Sequence, residues 1–308
     1  MMGETCYHIP VLLNESVSGL AIRPDGTYVD LTYGGGGHSR EILSHLKNGL
    51  LIAFDQDPAV REHLIRDKRF RFVEHNYRYL ANYLQYMNLV PVDGILADLG
   101  ISSEHIDNPE RGFSFRQEAP LDMRMNPAIT ETAADLINQY TEPQLITILR
   151  EYGEVDQPGR VARRITQLRE IRPLGTTLEL ADGLKTLVPA NRINKLLAQV
   201  FQAFRIAVNR EIESLRAMLA QTADLIRPGG RLVIISYHSL EDRLVKNYIR
   251  AGNEKGTLIP DVYGQTHPPF RPVIRKAIVP DITETEQNPR ARSARLRIGE
   301  RTDYQVHV

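Results

Sequence analysis

One stretch constrains this chain more than any other: Asp30-Leu31-Thr32-Tyr33-Gly34-Gly35-Gly36-Gly37-His38-Ser39. The apolar run Tyr28–Thr32 reads as a strand, and it enters four consecutive glycines, with a helix expected to begin near Ser39. Glycine permits positive φ and lets a ligand approach the backbone, at a cost in chain entropy. Four in a row bring no packing return, so a merely tight strand-to-helix turn is the weaker reading. A helix N-terminus adds outward-facing amides. Together these suit a nucleotide-like cofactor at the carboxyl edge of a parallel sheet. The next run, Leu50–Phe54, closes on Asp55, about 20 residues on, where an acid can bind ribose hydroxyls.

Loop and acid alone do not separate a nicotinamide dinucleotide from S-adenosylmethionine. The form of the loop helps. A dinucleotide fingerprint, G-x-G-x-x-G, ends on a glycine inside the helix, and here that place falls on Ser39. Asp30 instead matches the first acid of the methyltransferase pattern D-x-G-x-G-x-G, with Thr32 in place of its first glycine.

The rest of the chain supports an α/β fold with a helical insertion. Phe70–Glu74 and Gly94–Ala97 read as further short strands with helices between them, the rhythm of a parallel sheet. From about Pro109 to Pro189 only short capped helices are expected. Thr141 precedes one carrying Leu145, Ile148, Leu149 and Tyr152, Pro173 ends another, and Thr177 caps a third. A long helix follows from Ile193 to Leu219, stopped by Pro228-Gly229-Gly230. Arg231–Ser236 is a buried strand, and Ala277–Val279 with Ala294–Ile298 reads as a closing pair. The expected division is 1–110 and 201–308 for the sheet domain and 111–200 for the insertion.

Of 308 residues, 42% are hydrophobic, enough for a packed core. Lys and Arg number 38 against 38 Asp and Glu, so an RNA-binding reading needs a local basic patch. Cys6 is the single cysteine, which excludes an intramolecular disulfide framework and a Cys-rich zinc site. The N-terminal residues do not read as a signal peptide, and apolar runs such as Leu232–Ile235 are too short to span a bilayer. A cytoplasmic protein without a membrane or metal site is expected; His45, His63 and His75 show no metal-like spacing.

The fourth strand ends in Asp98-Leu99-Gly100-Ile101-Ser102-Ser103. Asp98 can accept a hydrogen bond from a cofactor ammonium or from a target amine; as an alternative it is a helix N-cap. DNA amino-methyltransferases place [DNS]-P-P-[FYW] here, and this chain does not.

At this point the chain closely resembles a known family. The strings Gly34 to Ser39, Asp98 to Ser103, Arg111-Gly112-Phe113-Ser114-Phe115, Pro120-Leu121-Asp122-Met123-Arg124-Met125, Phe201-Gln202-Ala203-Phe204-Arg205-Ile206, His238-Ser239-Leu240-Glu241-Asp242-Arg243 and Asn288-Pro289-Arg290-Ala291-Arg292-Ser293 occur in this order. They resemble the bacterial 16S ribosomal RNA (cytosine-N4) methyltransferases, the RsmH or MraW family, over nearly the whole chain. The resemblance implies a class I, Rossmann-like methyltransferase fold with an inserted helical domain. It implies methylation of a cytidine N4 near the decoding centre of the small subunit. The implied partner is 16S rRNA within that subunit, and a homodimer is compatible with it. It implies cofactor contacts to S-adenosyl-L-methionine from Gly36, Gly37, His38, Asp55, Tyr77, Asp98 and His105. Tyr77 stands where Phe is usual and His105 where Gln is usual. Asn194-Lys195-Leu196-Leu197-Ala198 replaces a commoner His-Pro-Ala-Thr-Arg type of stretch.

Further candidates are read from the residues. His238, Glu241 and Asp242 follow the last parallel strand and face the same crevice as the glycine loop. In the functional reading His238 stacks or donates, and Glu241 or Asp242 accepts; in the structural one Ser239 and Asp242 form a capping box. With Asp98, His238 and Asp242 are the catalytic candidates. Asp122 and Arg124 either contact the target nucleotide or tie domains together. Arg111 to Phe115 suits base stacking or a hydrophobic anchor. Arg290, Arg292, Arg295, Arg297 and Arg301 form the local basic patch, with Arg295 and Arg297 on one strand face for RNA phosphates.

Overall fold

In a computed structural model, residues 10–304 are described; Cys6 lies outside them. They form two compact units: 10–100 with 212–304, and 101–211. The helical unit therefore starts ten residues before the expected 111 and ends eleven after the expected 200.

The first unit opens with α1 (Leu13–Leu20), β1 (Thr27–Asp30), α2 (Gly37–His45), β2 (Leu50–Asp55), β3 (Phe70–Glu74), α3 (Leu80–Tyr86) and β4 (Val92–Asp98). The helical unit contributes α4 (Ser103–Asp107), α5 (Ala133–Gln139), α6 (Glu142–Glu151), α7 (Pro158–Ile171), α8 (Thr177–Leu184) and α9 (Ala190–Asn209). The chain then completes the sheet through α10 (Glu211–Leu225), β5 (Ile226–Ser236), α11 (Ser239–Ala251), β6 (Phe270–Pro272), α12 (Ile282–Gln287) and β7 (Arg295–Arg301).

The seven strands lie in the order β3-β2-β1-β4-β5-β7-β6. β1 to β5 run parallel; β7 is antiparallel to both its neighbours. Val29, Ile52, Ala53, Phe54, Ile95, Leu96, Val233 and Ile234 are wholly buried. Such unbroken apolar runs belong to a parallel sheet covered on both faces. Strand order reverses between β1 and β4, and ligands bind outside the carboxyl ends of strands at that switch point. The glycine loop and Asp98 follow those two strands.

The long helix expected from Ile193 to Leu219 is two helices. Arg210 sits at φ 50°, ψ 44°, and its N–H returns to the Ile206 and Ala207 carbonyls. A left-handed residue cannot continue a right-handed helix, and because it is arginine rather than glycine the period gave no warning. Pro228-Gly229-Gly230 is not the stop. The helix ends at Leu225, and the triplet forms a bulge in β5, with register passing from Val92↔Ile226 to Gly94↔Arg231. Thr176, not Thr177, caps α8, in a box with Glu179. Of the expected closing pair, β7 is formed, and Ile278 makes only an isolated bridge to Leu296; β6 is the strand that pairs with β7.

No helix of the described residues is long and apolar enough to cross a membrane.

Candidate active site at the carboxyl edge of the sheet

β1 ends on Asp30, fully buried. Ser39 Oγ donates to its Oδ2 at 2.6 Å and the Thr32 N–H to its Oδ1 at 3.1 Å. Burial pushes this carboxyl up, and the hydrogen bonds from Ser39 and from the Thr32 backbone and side chain only partly offset it. Asp30 is thus an internal tie that clamps α2 onto β1. The helix begins at Gly37, two residues ahead of the expected start, with Gly36 as its N-cap at φ 74°.

The glycines differ in what they tolerate. A Cβ at Gly36 would meet Tyr33 Oη at 2.7 Å, and one at Gly37 would meet Pro10 Cγ at 2.1 Å. At Gly35 it would meet nothing within 4 Å. Gly35 is the loop position open to an incoming molecule; Gly36 and Gly37 are glycines because the protein itself is close.

Asp55, half-buried at the end of β2, accepts the Gly34 N–H on Oδ2 (2.8 Å) and the Asp57 N–H on Oδ1 (2.9 Å). Tyr77 follows β3 at the same edge, half-buried behind Asn76, whose amide joins Gln56 at 2.8 Å.

Asp98 ends β4. Its N–H donates to Thr32 Oγ1 at 2.7 Å. The Tyr237 phenol donates to Oδ1 at 2.8 Å, and His38 Nδ1 lies 3.9 Å from Oδ2. His38 is buried, with Nε2 3.2 Å from the Val11 carbonyl. Burial pushes the Asp98 carboxyl up to about 6; His38 and Tyr237 pull against that, while Asp30 and Glu241 add to it. Its side chain is 19% exposed, enough for a ligand to reach. Asp98 caps no helix: Ser102 is the N-cap of α4. Tyr237, which sequence reasoning passed over, has as its only signal its place at the mouth of β5 beside His238. Burial drives its phenol well above the usual tyrosine range, keeping it a donor.

His238 is the N-cap of α11, and its own side chain caps nothing. Glu241 Oε2 accepts the Tyr237 N–H at 3.0 Å, so Glu241 rather than Asp242 is the acid that reaches back at this helix start. His238 Nε2 lies 3.1 Å from Glu241 Oε1, outside hydrogen-bonding direction, and both its buried ring nitrogens are without a hydrogen bond among the described residues.

Three assignments change. Asp242 and Arg297, expected in catalysis and phosphate binding respectively, hold each other in a bidentate pair: Nε to Oδ1 at 2.6 Å and NH2 to Oδ2 at 3.0 Å. Their side chains are 15% and 13% exposed. The pair ties α11 to β7. Arg301 also leaves the basic patch, buried among the carbonyls of Ala223, Thr302 and Tyr304. Arg290, Arg292 and Arg295 remain exposed.

Within the helical unit, His105 completes a capping box with Ser102, its Nδ1 3.0 Å from Ser102 Oγ, and packs on Phe113 at 5.0 Å between ring centroids. Asp122 and Arg124 close a turn on each other: Nε and NH2 of Arg124 bond the carboxylate at 2.8 and 2.7 Å, and NH1 reaches the Pro127 and Ile129 carbonyls. Burial pushes the Asp122 carboxyl up, but the Arg124 hydrogen bonds and charge together outweigh it and hold it low. Every guanidinium nitrogen of Arg124 is engaged inside the unit. Arg111 bonds the Arg124 and Met125 carbonyls, Phe113 is buried and Phe115 packs on Phe201, so the stacking motif is a hydrophobic anchor.

The donor set of the sheet edge fits an aminoacyl nucleoside. An open glycine and two partly exposed carboxylates, Asp55 and Asp98, stand on neighbouring strand ends. This fold and edge define a class I S-adenosylmethionine-dependent methyltransferase. The chain belongs to the MraW methylase family, whose model matches residues 5–302. It is 51% identical over 299 residues to the ribosomal RNA small subunit methyltransferase H of Bacteroides thetaiotaomicron, covering 97% of this chain and 98% of that one. It is 53% identical over 297 residues to the protein of the same name from Cytophaga hutchinsonii, covering 96% and 99%.

Proposed function

We propose that this protein methylates the exocyclic N4 of a cytidine in 16S ribosomal RNA, near the decoding centre of the small subunit. The observation that carries the reading is Asp98: a reachable carboxylate at the switch point, held by Tyr237 and set at about 6 mainly by burial. The names of the relatives supply the class of substrate, small-subunit ribosomal RNA.

S-adenosylmethionine, when bound, supplies a sulfonium methyl. Asp55 is suited to its ribose hydroxyls and Asp98 to its ammonium, with Gly35 giving room at the backbone. Methyl transfer needs in-line approach more than acid–base help, and positioning alone can supply much of the acceleration. His238, whose ring nitrogens are unsatisfied, is suited to bond the incoming base, with Glu241 behind it. A carboxylate that accepts from the target amine favours its pyramidal form and can hold the departing proton. In the alternative assignment Asp98 serves the target amine through Oδ2, the oxygen that Tyr237 does not bond.

The test is to incubate the protein with labelled S-adenosylmethionine and small subunits lacking the modification, then map the labelled nucleoside by mass spectrometry. N4-methylcytidine at one position is expected. Label on another nucleoside, or none, overturns the reading.

A further inference from the structure

We propose that the helical unit carries a docking groove for single-stranded RNA between α7 and the start of α9. The groove is a cavity of about 470 Å³ that shares Arg160 and Leu187 with a second hollow of about 270 Å³. Val161 and Leu196, both buried, and half-buried Val188 form an apolar floor.

Five cations line the two hollows: Arg160, Arg192 and Lys195 the larger, and Arg160, Arg163 and Arg164 the smaller. Arg160, Arg163 and Arg164 fall at spacings of three and four on α7, and Arg192 and Lys195 at a spacing of three on α9. Residues three and four apart share one helix face, so each helix presents a cationic row. Arg164 donates to the Gly183 carbonyl at 2.9 Å and Arg163 approaches Glu142 only to 3.8 Å. The side chains of Arg160, Arg192 and Lys195 are exposed and make no ion pair or hydrogen bond with any described residue. Asp156 is the single acid lining the hollows.

In a chain of zero net charge this concentration of cations around a concavity, three of them without an ion pair among the described residues, is a local field, not an average property. The N-terminus of the 20-residue α9, which no side chain caps, adds its positive end to the same rim. The charge selects a polyanion. An apolar floor between cationic rows suits a single strand, whose phosphates meet the rows while an unstacked base lies over aliphatic side chains or a guanidinium plane.

The inference rests on the reading that the substrate is ribosomal RNA, and its test separates the two. Binding of a fluorescein-labelled, unstructured single-stranded RNA to the full-length protein is followed across a salt series. The variant combines Arg160→Ala, Arg192→Ala and Lys195→Ala; a second, Arg160→Lys with Arg192→Lys, keeps the charge. Removing three phosphate contacts should lower the log–log salt slope by about 2. Affinity at about 0.1 M salt should fall at least tenfold, while affinity for S-adenosylmethionine and the melting temperature hold. The lysine variant should keep the wild-type slope. An unchanged slope in the alanine variant, while wild type binds RNA and transfers methyl, overturns the groove alone. Wild-type affinity for RNA with weakened binding to whole subunits makes the groove a protein surface and also overturns it. Wild-type protein that neither binds nor methylates RNA removes the underlying reading and the groove with it.

Discussion

The Tyr237 phenol donates a 2.8 Å hydrogen bond to Asp98 Oδ1, joining the residue after β5 to the last residue of β4. The bond stabilises the carboxylate and opposes the burial that raises it to about 6. Tyr237→Phe removes the donor with little change of shape. Cofactor affinity is expected to fall as pH drops through about 6 in the wild type; in the variant this midpoint should move upward, with affinity nearly restored above pH 8. A midpoint that does not move, measured by calorimetry from pH 5 to 8.5, would separate Tyr237 from the titration of Asp98.

Asp98 also ties stability to pH. Its folded pKa of about 6 lies above the ordinary carboxyl value, so between about pH 4 and 6 the folded state binds more protons than the unfolded. Stability contributed by the protonated form is complete below about pH 4 and lost as pH rises through 6. Asp98→Asn should therefore be stabilised relative to wild type at pH 8 by up to about 3 kcal/mol, and not at pH 4. Thermal unfolding at the two pH values gives the comparison; a variant equally stable at both would deny the shift.

The glycine loop separates two variants that sequence alone treats alike. Gly35→Val enters open space and should cost cofactor affinity with the fold retained. Gly36→Val adds a branched residue at φ 74° against the Tyr33 ring, and should lower the melting temperature as well. Equal effects on stability would contradict the assignment.

Asp55→Ala should weaken S-adenosylmethionine binding by about 1.5–3 kcal/mol, the range for a hydrogen bond to a charged group, and leave RNA affinity unchanged. A loss of RNA affinity with cofactor binding intact would move the cofactor away from β2.

Arg295 and Arg297 should behave differently although they share a strand face. Arg295→Ala should reduce the salt slope of RNA binding by about 1. Arg297→Ala strands Asp242 without its partner and should cost about 3–5 kcal/mol of stability instead. Salt titration and chemical unfolding of the two variants distinguish these roles.

The parallel sheet and most of the carboxyl edge were legible because both are local in sequence. Apolar runs mark β1 to β5, and glycines and acids stand where the strands end. Much of what could not be read depended on partners distant in the chain. Asp242 and Arg297 are 55 residues apart, and nothing in either neighbourhood announces that they meet. Tyr237 finds Asp98 across 139 residues. Arg210 breaks a flawless helical period through its backbone alone. The Arg124 staple spans two residues, yet a charged pair at that spacing reads equally well as a ligand site until its third nitrogen is seen on the Pro127 and Ile129 carbonyls.

The central claim is that the carboxyl edge at β1, β2 and β4 holds the cofactor, with the charge of Asp98 on its ammonium. Asp98→Asn keeps the shape and an acceptor oxygen and removes the charge. Calorimetry with S-adenosylmethionine at pH 8, paired with turnover on small subunits lacking the modification, tests this most directly. The predicted result is weaker cofactor binding, with turnover largely restored at saturating cofactor. Unchanged affinity with turnover lost at saturation would place the charge on the target amine, as expected for an interaction that grows in the transition state. Wild-type affinity together with wild-type turnover would contradict the account.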